Sequence, residues 1–165
     1  MKKVFVILMC CLGLAFTSCK PEEKPYEKFV GNYLGNIELQ GKLTSPLFPG
    51  VEYELDGSTF ELRAKIEPGT ADDKVIVTFT IQDESYTTTG TVSEEQIEFG
   101  TLSYTYVEEP STFTVFLNLT GTLSNQNLIT LTGPYTGNGD VTMEGMTLVM
   151  NAAGNVTGEL NKLAE

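Results

Sequence analysis

Glu52, Glu54 and Asp56 occupy alternate positions, so a strand over residues 51–56 carries all three carboxylates on one face. Clustered oxygen ligands of that kind suit Ca²⁺. The same three acids on a solvated face would only hold water, and no D-x-[DN]-x-[DN]-G loop accompanies them, so no metal is assigned. Hydrolysis of a glycoside asks for two carboxylates about 5–10 Å apart. Among 22 Asp and Glu some pair meets that spacing by chance. Here the acids gather in turns, at Asp72-Asp73, Asp83-Glu84, Glu94-Glu95 and Glu108-Glu109, where they serve solubility and guard strand edges. The chain has no His, which excludes Ser-His-Asp and Cys-His catalysis and His-ligated metal centres. No phosphate-cradling glycine motif occurs. The expectation is a protein that is not an enzyme and needs no cofactor.

Aromatic and sulfur side chains offer binding rather than catalysis. Tyr86, Tyr104, Tyr106 and Tyr135 would stack on sugar rings if they faced outward, or pack across strands with their hydroxyls at a rim. Met143, Met146, Leu148 and Met150 form a flexible apolar set that lines a pocket or fills gaps in a core. The candidate ligand contacts are Tyr104, Tyr106, Met143, Met146 and Met150, for a small apolar ligand or a glycan.

Cys19 is the remaining chemical group. Lys2 and Lys3 precede an apolar run of 13 residues over 4–16, and Thr17-Ser18 lead into Cys19. A charged start, a short apolar stretch and a small-residue exit make a secretory signal. The run is shorter than the roughly 20 apolar residues of a membrane-spanning helix. Cys10 and Cys11 would leave with it, so Cys19 has no disulfide partner. The segment resembles a bacterial lipoprotein signal, and its Ser18-Cys19-Lys20 junction resembles those of Bacteroidetes lipoproteins. That resemblance implies lipidation of Cys19 and an anchor in the outer membrane. Glu22-Glu23 soon after the cysteine resembles surface-export signals, which implies outward display. Acyl chains add about 0.8 kcal/mol per buried CH₂, and two or more hold a protein firmly.

Loss of residues 1–18 leaves 147 residues, enough for one domain with a core. Net charge falls from −12 to −14 as Lys2 and Lys3 depart, which disfavours nucleic acid as a partner. Residues 19–28, with Pro21, Pro25 and three charged residues between them, read as the anchor cysteine and an extended tether. From residue 29 to 165 the pattern has period two and is rich in Thr, Val, Tyr and Phe. Breaks fall at Asp56-Gly57, Pro68-Gly69, Asp83-Glu84, Glu94-Glu95, Glu109-Pro110, Asn125-Gln126-Asn127, a Gly-rich loop over 133–139, and Ala153-Gly154-Asn155. The prediction is all-β: an antiparallel meander of about eight to ten short strands closed into a barrel, with a β-sandwich as the alternative.

Gly31-Asn32-Tyr33-Leu34-Gly35 resembles the G-x-Y-x-G first strand of calycin-like (lipocalin-like) barrels found in small Bacteroidetes lipoproteins. The resemblance implies an up-and-down barrel with Tyr33 packed at one end. Two functions are compatible with it. One is a binding module for a small apolar ligand or glycan. The other is a barrel with a filled core, an accessory subunit for a cell-envelope protein partner. Interior volume separates them.

Overall fold

The computed structural model describes residues 24–143 and 145–164, apart from the side chains of Asp56 and Met143. The signal segment and Cys19 lie outside the described residues.

Ten strands follow one another as a meander: β1 (Gly31–Thr44), β2 (Glu52–Pro68), β3 (Lys74–Ile81), β4 (Glu84–Ser93), β5 (Gln96–Phe99), β6 (Leu102–Glu108), β7 (Ser111–Leu117), β8 (Thr120–Asn125), β9 (Leu128–Met143) and β10 (Met146–Lys162). All pairings are antiparallel, in the order β10-β1-β2-β3-β4-β5-β8-β9, and β9 pairs with β10 to close the ring. The chain is an eight-stranded antiparallel β-barrel. β6 continues the line of β5, and β7 that of β8; β7 pairs with the far half of β9 and carries β6 at its outer edge.

Strand lengths divide the barrel into two halves. At one end every neighbour is paired, and alternate side chains fill the interior. Tyr33, Leu62, Ile66, Val75, Val77, Phe79, Ile97, Ile129, Leu131, Val156 and Leu160 are all essentially solvent-free there. Phe79 and Phe99 meet edge to face at 5.2 Å. The last residues read as tether, Pro25–Lys28, form a 3₁₀ turn instead, with Pro25 at its start, where no N–H is needed. Tyr26 packs on the core, Phe29 is fully buried, and the Tyr33 hydroxyl donates to the Phe29 carbonyl at 2.8 Å. This turn plugs the end, and Tyr33 packs there as the first-strand resemblance implied.

At the other end the wall is incomplete. β3 pairs with β2 only over Arg63–Pro68, and the β3–β4 hairpin turns early, at Gln82-Asp83. Gly100 N–H still donates to the Thr89 carbonyl at 2.9 Å, but β4 and β6 share no ladder beyond it. Residues 52–62 of β2 and the whole of β6 therefore flank a notch, with the short hairpin standing in it.

Several sequence breaks are strand interiors. Residues 52–55 and 60–66 belong to one strand, β2. Asp56-Gly57 is a bulge: Leu55 pairs with Gly41 and Ser58 with Leu39, so two residues of β2 stand opposite Gln40 alone. Gly57 takes φ +59, a left-handed conformation suited to glycine. The bulge shifts the phase of β2, so the alternation that would align Glu52, Glu54 and Asp56 does not continue through it. The supposed loop over 133–139 is the middle of β9, with Pro134 between the stretch paired to β8 and the stretch paired to β7. Ala153-Gly154-Asn155 lies within β10.

The outer wall faces water. Cross-strand hydroxyl pairs run along it, Thr78 with Thr87 at 3.1 Å, Thr80 with Ser85 at 2.9 Å and Thr105 with Thr114 at 3.0 Å. This accounts for the threonine richness: β-branched side chains suit strands, and their hydroxyls satisfy one another on the exposed face.

Candidate functional site

The open half of the barrel encloses an apolar cavity of about 510 Å³. Its walls come from the far part of β1 (Leu39, Leu43), the near part of β2 (Leu55, Phe60), β7 (Phe113, Val115) and the ends of β9 and β10 (Val141, Ala152). Ile81 and Gln82 at the β3–β4 hairpin and Tyr104 and Tyr106 on β6 line it from the notch. The volume is that of a small-molecule pocket, for which 300–1,000 Å³ is typical. It exists because β3 and β4 stop short: the other strands carry the wall past the hairpin, and the shorter pair reaches the space only with Ile81 and Gln82 at its tip. A larger hollow of about 880 Å³ lies at the plugged end, but it is surface relief lined by charged and amide groups such as Glu27, Glu95 and Asn127.

The polar groups of the cavity differ in how they are satisfied. The Tyr104 hydroxyl donates to Gln82 Oε1 at 3.0 Å, and the Tyr104 ring meets Tyr86 edge to face at 5.7 Å. These contacts bridge the notch. The Tyr106 and Tyr86 hydroxyls donate to Glu108 and Glu84 respectively. Burial, assisted by the Glu84 carboxylate, pushes the Tyr86 phenol up to about 12. Tyr104 is raised by burial and by Glu84, and Tyr106 by its bond to Glu108.

Tyr135 differs from the others. It is 2 % exposed, and among the described residues its hydroxyl is the only buried side-chain polar atom with no hydrogen-bond partner. Its ring lies along the wall over Gly154 of β10, with the hydroxyl above Gly41 of β1. A β-carbon at Gly154 would fall 2.8 Å from the ring, and one at Gly41 would fall 2.6 Å from the hydroxyl. Gly41 and Gly154 are direct cross-strand partners, so the two together make the slot.

Of the five residues named as ligand contacts, the structure brings Tyr104 and Tyr106 to the cavity. Met150 is buried but does not line it, and Met146 is exposed at the β9–β10 hairpin. Met143 falls among the side chains outside the described set. Glu52 pairs with Lys42 and Glu54 is exposed, and among the described residues no group of three His, Cys, Asp or Glu side chains converges. Exposed apolar side chains stand at the open end: Leu47, Phe48 and Val51 between β1 and β2, Val107 near the end of β6, and Met146 and Val149 at the start of β10.

No protein-family model matches the sequence, and no curated protein matches it significantly. Solved structures do resemble the fold. A redesigned beta barrel, b11L5F_LGL, aligns over 86% of this chain and 96% of its own, at 10% identity and TM-score 0.45. EF1p2_mFAP2b bound to DFHBI aligns over 85% and 98%, at 10% identity and TM-score 0.43. A DUF3598-family protein of unknown function from Nostoc punctiforme covers 82% of this chain, while the chain spans 48% of it, at 11% identity and TM-score 0.38.

Proposed function

We propose that this chain is a lipocalin-like binding module that takes one small apolar ligand into the open half of its barrel. The observation that carries the reading is the 510 Å³ apolar cavity, set beside a fully packed half and entered from one end. A barrel built only as a scaffold gains stability by filling its interior throughout. Tyr104 and Tyr106 line the apolar cavity, with Tyr106 also 42 % exposed at the notch, and that placement favours an apolar molecule over a glycan. An anchor at Cys19 belongs to the same proposal and rests on the signal-like residues 1–18 alone.

The test is direct. Native mass spectrometry of protein purified from its own host should show one bound small molecule. Titration with an apolar fluorophore should saturate at one site, and Ala152→Phe, which grows into the cavity from β10, should weaken binding at least tenfold while the barrel still melts cooperatively. Equal binding by the parent and Ala152→Phe would refute the cavity reading. Cys19→Ser should move the protein from membrane to soluble fractions, and its retention on membranes would refute the anchor.

A further inference from the structure

Tyr135 poses a question of chemistry within that cavity. A phenylalanine would fill the slot over Gly41 and Gly154 equally well. The hydroxyl instead sits desolvated without a protein partner, an arrangement that destabilises a folded protein. The other polar side chains at the cavity have answers: Tyr104 and Gln82 bond to one another, Tyr106 bonds to Glu108, and Ser58 is exposed to water. Both flanking strands give up a side chain, at Gly41 and at Gly154, to accommodate this one phenol.

We propose that Tyr135 is the polar recognition point of the cavity: its ring borders the space while its hydroxyl is closed off in the slot, and the ligand that draws this hydroxyl toward the cavity is an apolar molecule bearing one accepting oxygen, a ketone, ester or ether. This rests on the reading of the cavity as a binding site and adds to it the ligand's chemical class. The surrounding lining is Leu39, Leu43, Leu55, Val115 and Ala152, so the rest of the molecule is hydrocarbon in character. The phenol acts as donor, since burial raises its pKa above the ordinary value and keeps its proton in place. A ligand oxygen that accepts this bond recovers what the hydroxyl lost on burial, whereas a pure hydrocarbon leaves it unrecovered. The site therefore discriminates by a penalty on the wrong ligand as well as by a bond to the right one.

Two probes of matched shape test this, 2-propionylnaphthalene and 2-propylnaphthalene, each titrated by calorimetry against the parent protein and Tyr135→Phe. The parent should bind the ketone about tenfold more tightly than the hydrocarbon. Tyr135→Phe should erase that preference by weakening ketone binding alone. Without ligand, Tyr135→Phe should melt at the same temperature as the parent or higher, because it removes an unsatisfied buried donor. Tyr33→Phe is the contrast: its hydroxyl is buried but bonded to Phe29 at the plugged end, so it should lower the melting temperature and leave both affinities unchanged. Equal affinities for the two probes in the parent, or equal effects of Tyr135→Phe on both, would overturn the role of Tyr135 and leave the cavity reading standing. Failure of both probes to bind the parent would overturn the cavity reading and this inference with it.

Discussion

The Tyr104 hydroxyl donates to the Gln82 side chain at 3.0 Å across the one stretch of wall where β4 and β6 share no ladder. Gln82 sits at the tip of the β3–β4 hairpin with φ 48, and Asp83 follows with φ 69. Two left-handed residues make the tight turn whose twist suits a two-residue hairpin. A β-carbon in that conformation costs roughly 1 kcal/mol or more, which asparagine or glycine would largely avoid. Glutamine holds the position where its side chain reaches Tyr104, so the hairpin tip is latched to the edge strand over the cavity.

Gln82→Gly should therefore leave stability within about 1 kcal/mol of the parent, since relief of the left-handed strain offsets the lost bond. It should also speed release of an apolar probe three- to tenfold. Tyr104→Phe should speed release similarly without the relief. Stopped-flow dissociation with parallel urea melts checks both.

Crowding at the Tyr135 slot makes a sharper stability prediction. A side chain at Gly154 would place its β-carbon 2.0 Å from the Gln40 carbonyl oxygen, besides its contact with the ring. Gly154→Val should cost about 3 kcal/mol, at the upper end of overpacking penalties. Gly50 has a left-handed φ of +87 but open space around it, so Gly50→Ala should cost only about 1 kcal/mol of backbone strain. Equilibrium urea unfolding distinguishes the two.

Alkaline stability should follow Tyr33. Burial holds its phenol up to about 12 from an ordinary 10. The folded state then keeps a proton that the unfolded chain releases, so stability is full below pH 10 and falls as pH rises toward 12. The slope is about 1.4 kcal/mol per pH unit at most. Tyr33→Phe should lose about 1 kcal/mol at pH 7 with its bond to Phe29, yet lose less than the parent between pH 10 and 12. Urea midpoints measured from pH 7 to 12 test the crossing trend.

The two halves should also respond differently to truncation. Phe29 is fully buried in the plug, so Phe29→Ala should cost about 3–5 kcal/mol. Phe113 borders the existing cavity and is only partly buried, so Phe113→Ala should cost less than half as much while enlarging the ligand space. Thermal melts and probe stoichiometry together check the pair.

Period-two patterning made the all-β meander and its closure legible, because inward apolar and outward Thr or charged positions alternate from residue 31 to 162. It misplaced the breaks. Asp56-Gly57 carries the composition of a turn, yet a bulge uses the same left-handed glycine without reversing the chain. Pro134 and Gly154 also read as breaks, but a long strand on a barrel tolerates them where one partner gives way to another or a ring lies against the backbone. The cavity was less legible still. Alternation says that Leu39, Phe60 and Val115 face inward, but not that the space before them stays unfilled, which depends on β3 pairing with β2 only over Arg63–Pro68 and leaving residues 52–62 without that neighbour. Gly41 and Gly154, small residues in the inward phase, were the available signal for the Tyr135 slot, and only the β1–β10 register brings them opposite each other. Of the methionines named as contacts, Met146 is exposed at the β9–β10 hairpin and Met150 is buried outside the cavity lining, a difference that composition alone does not carry.

Because Pro25–Lys28 and Phe29 stopper one end, the barrel is a cup rather than a conduit. Entry and exit share a single lip, so a second molecule cannot push the first out from behind, and exchange is limited by how readily that lip yields. Whatever attaches to the chain before Lys24 joins at the base of the cup. In the anchored form proposed above, that attachment leaves the opening on the far side of the barrel.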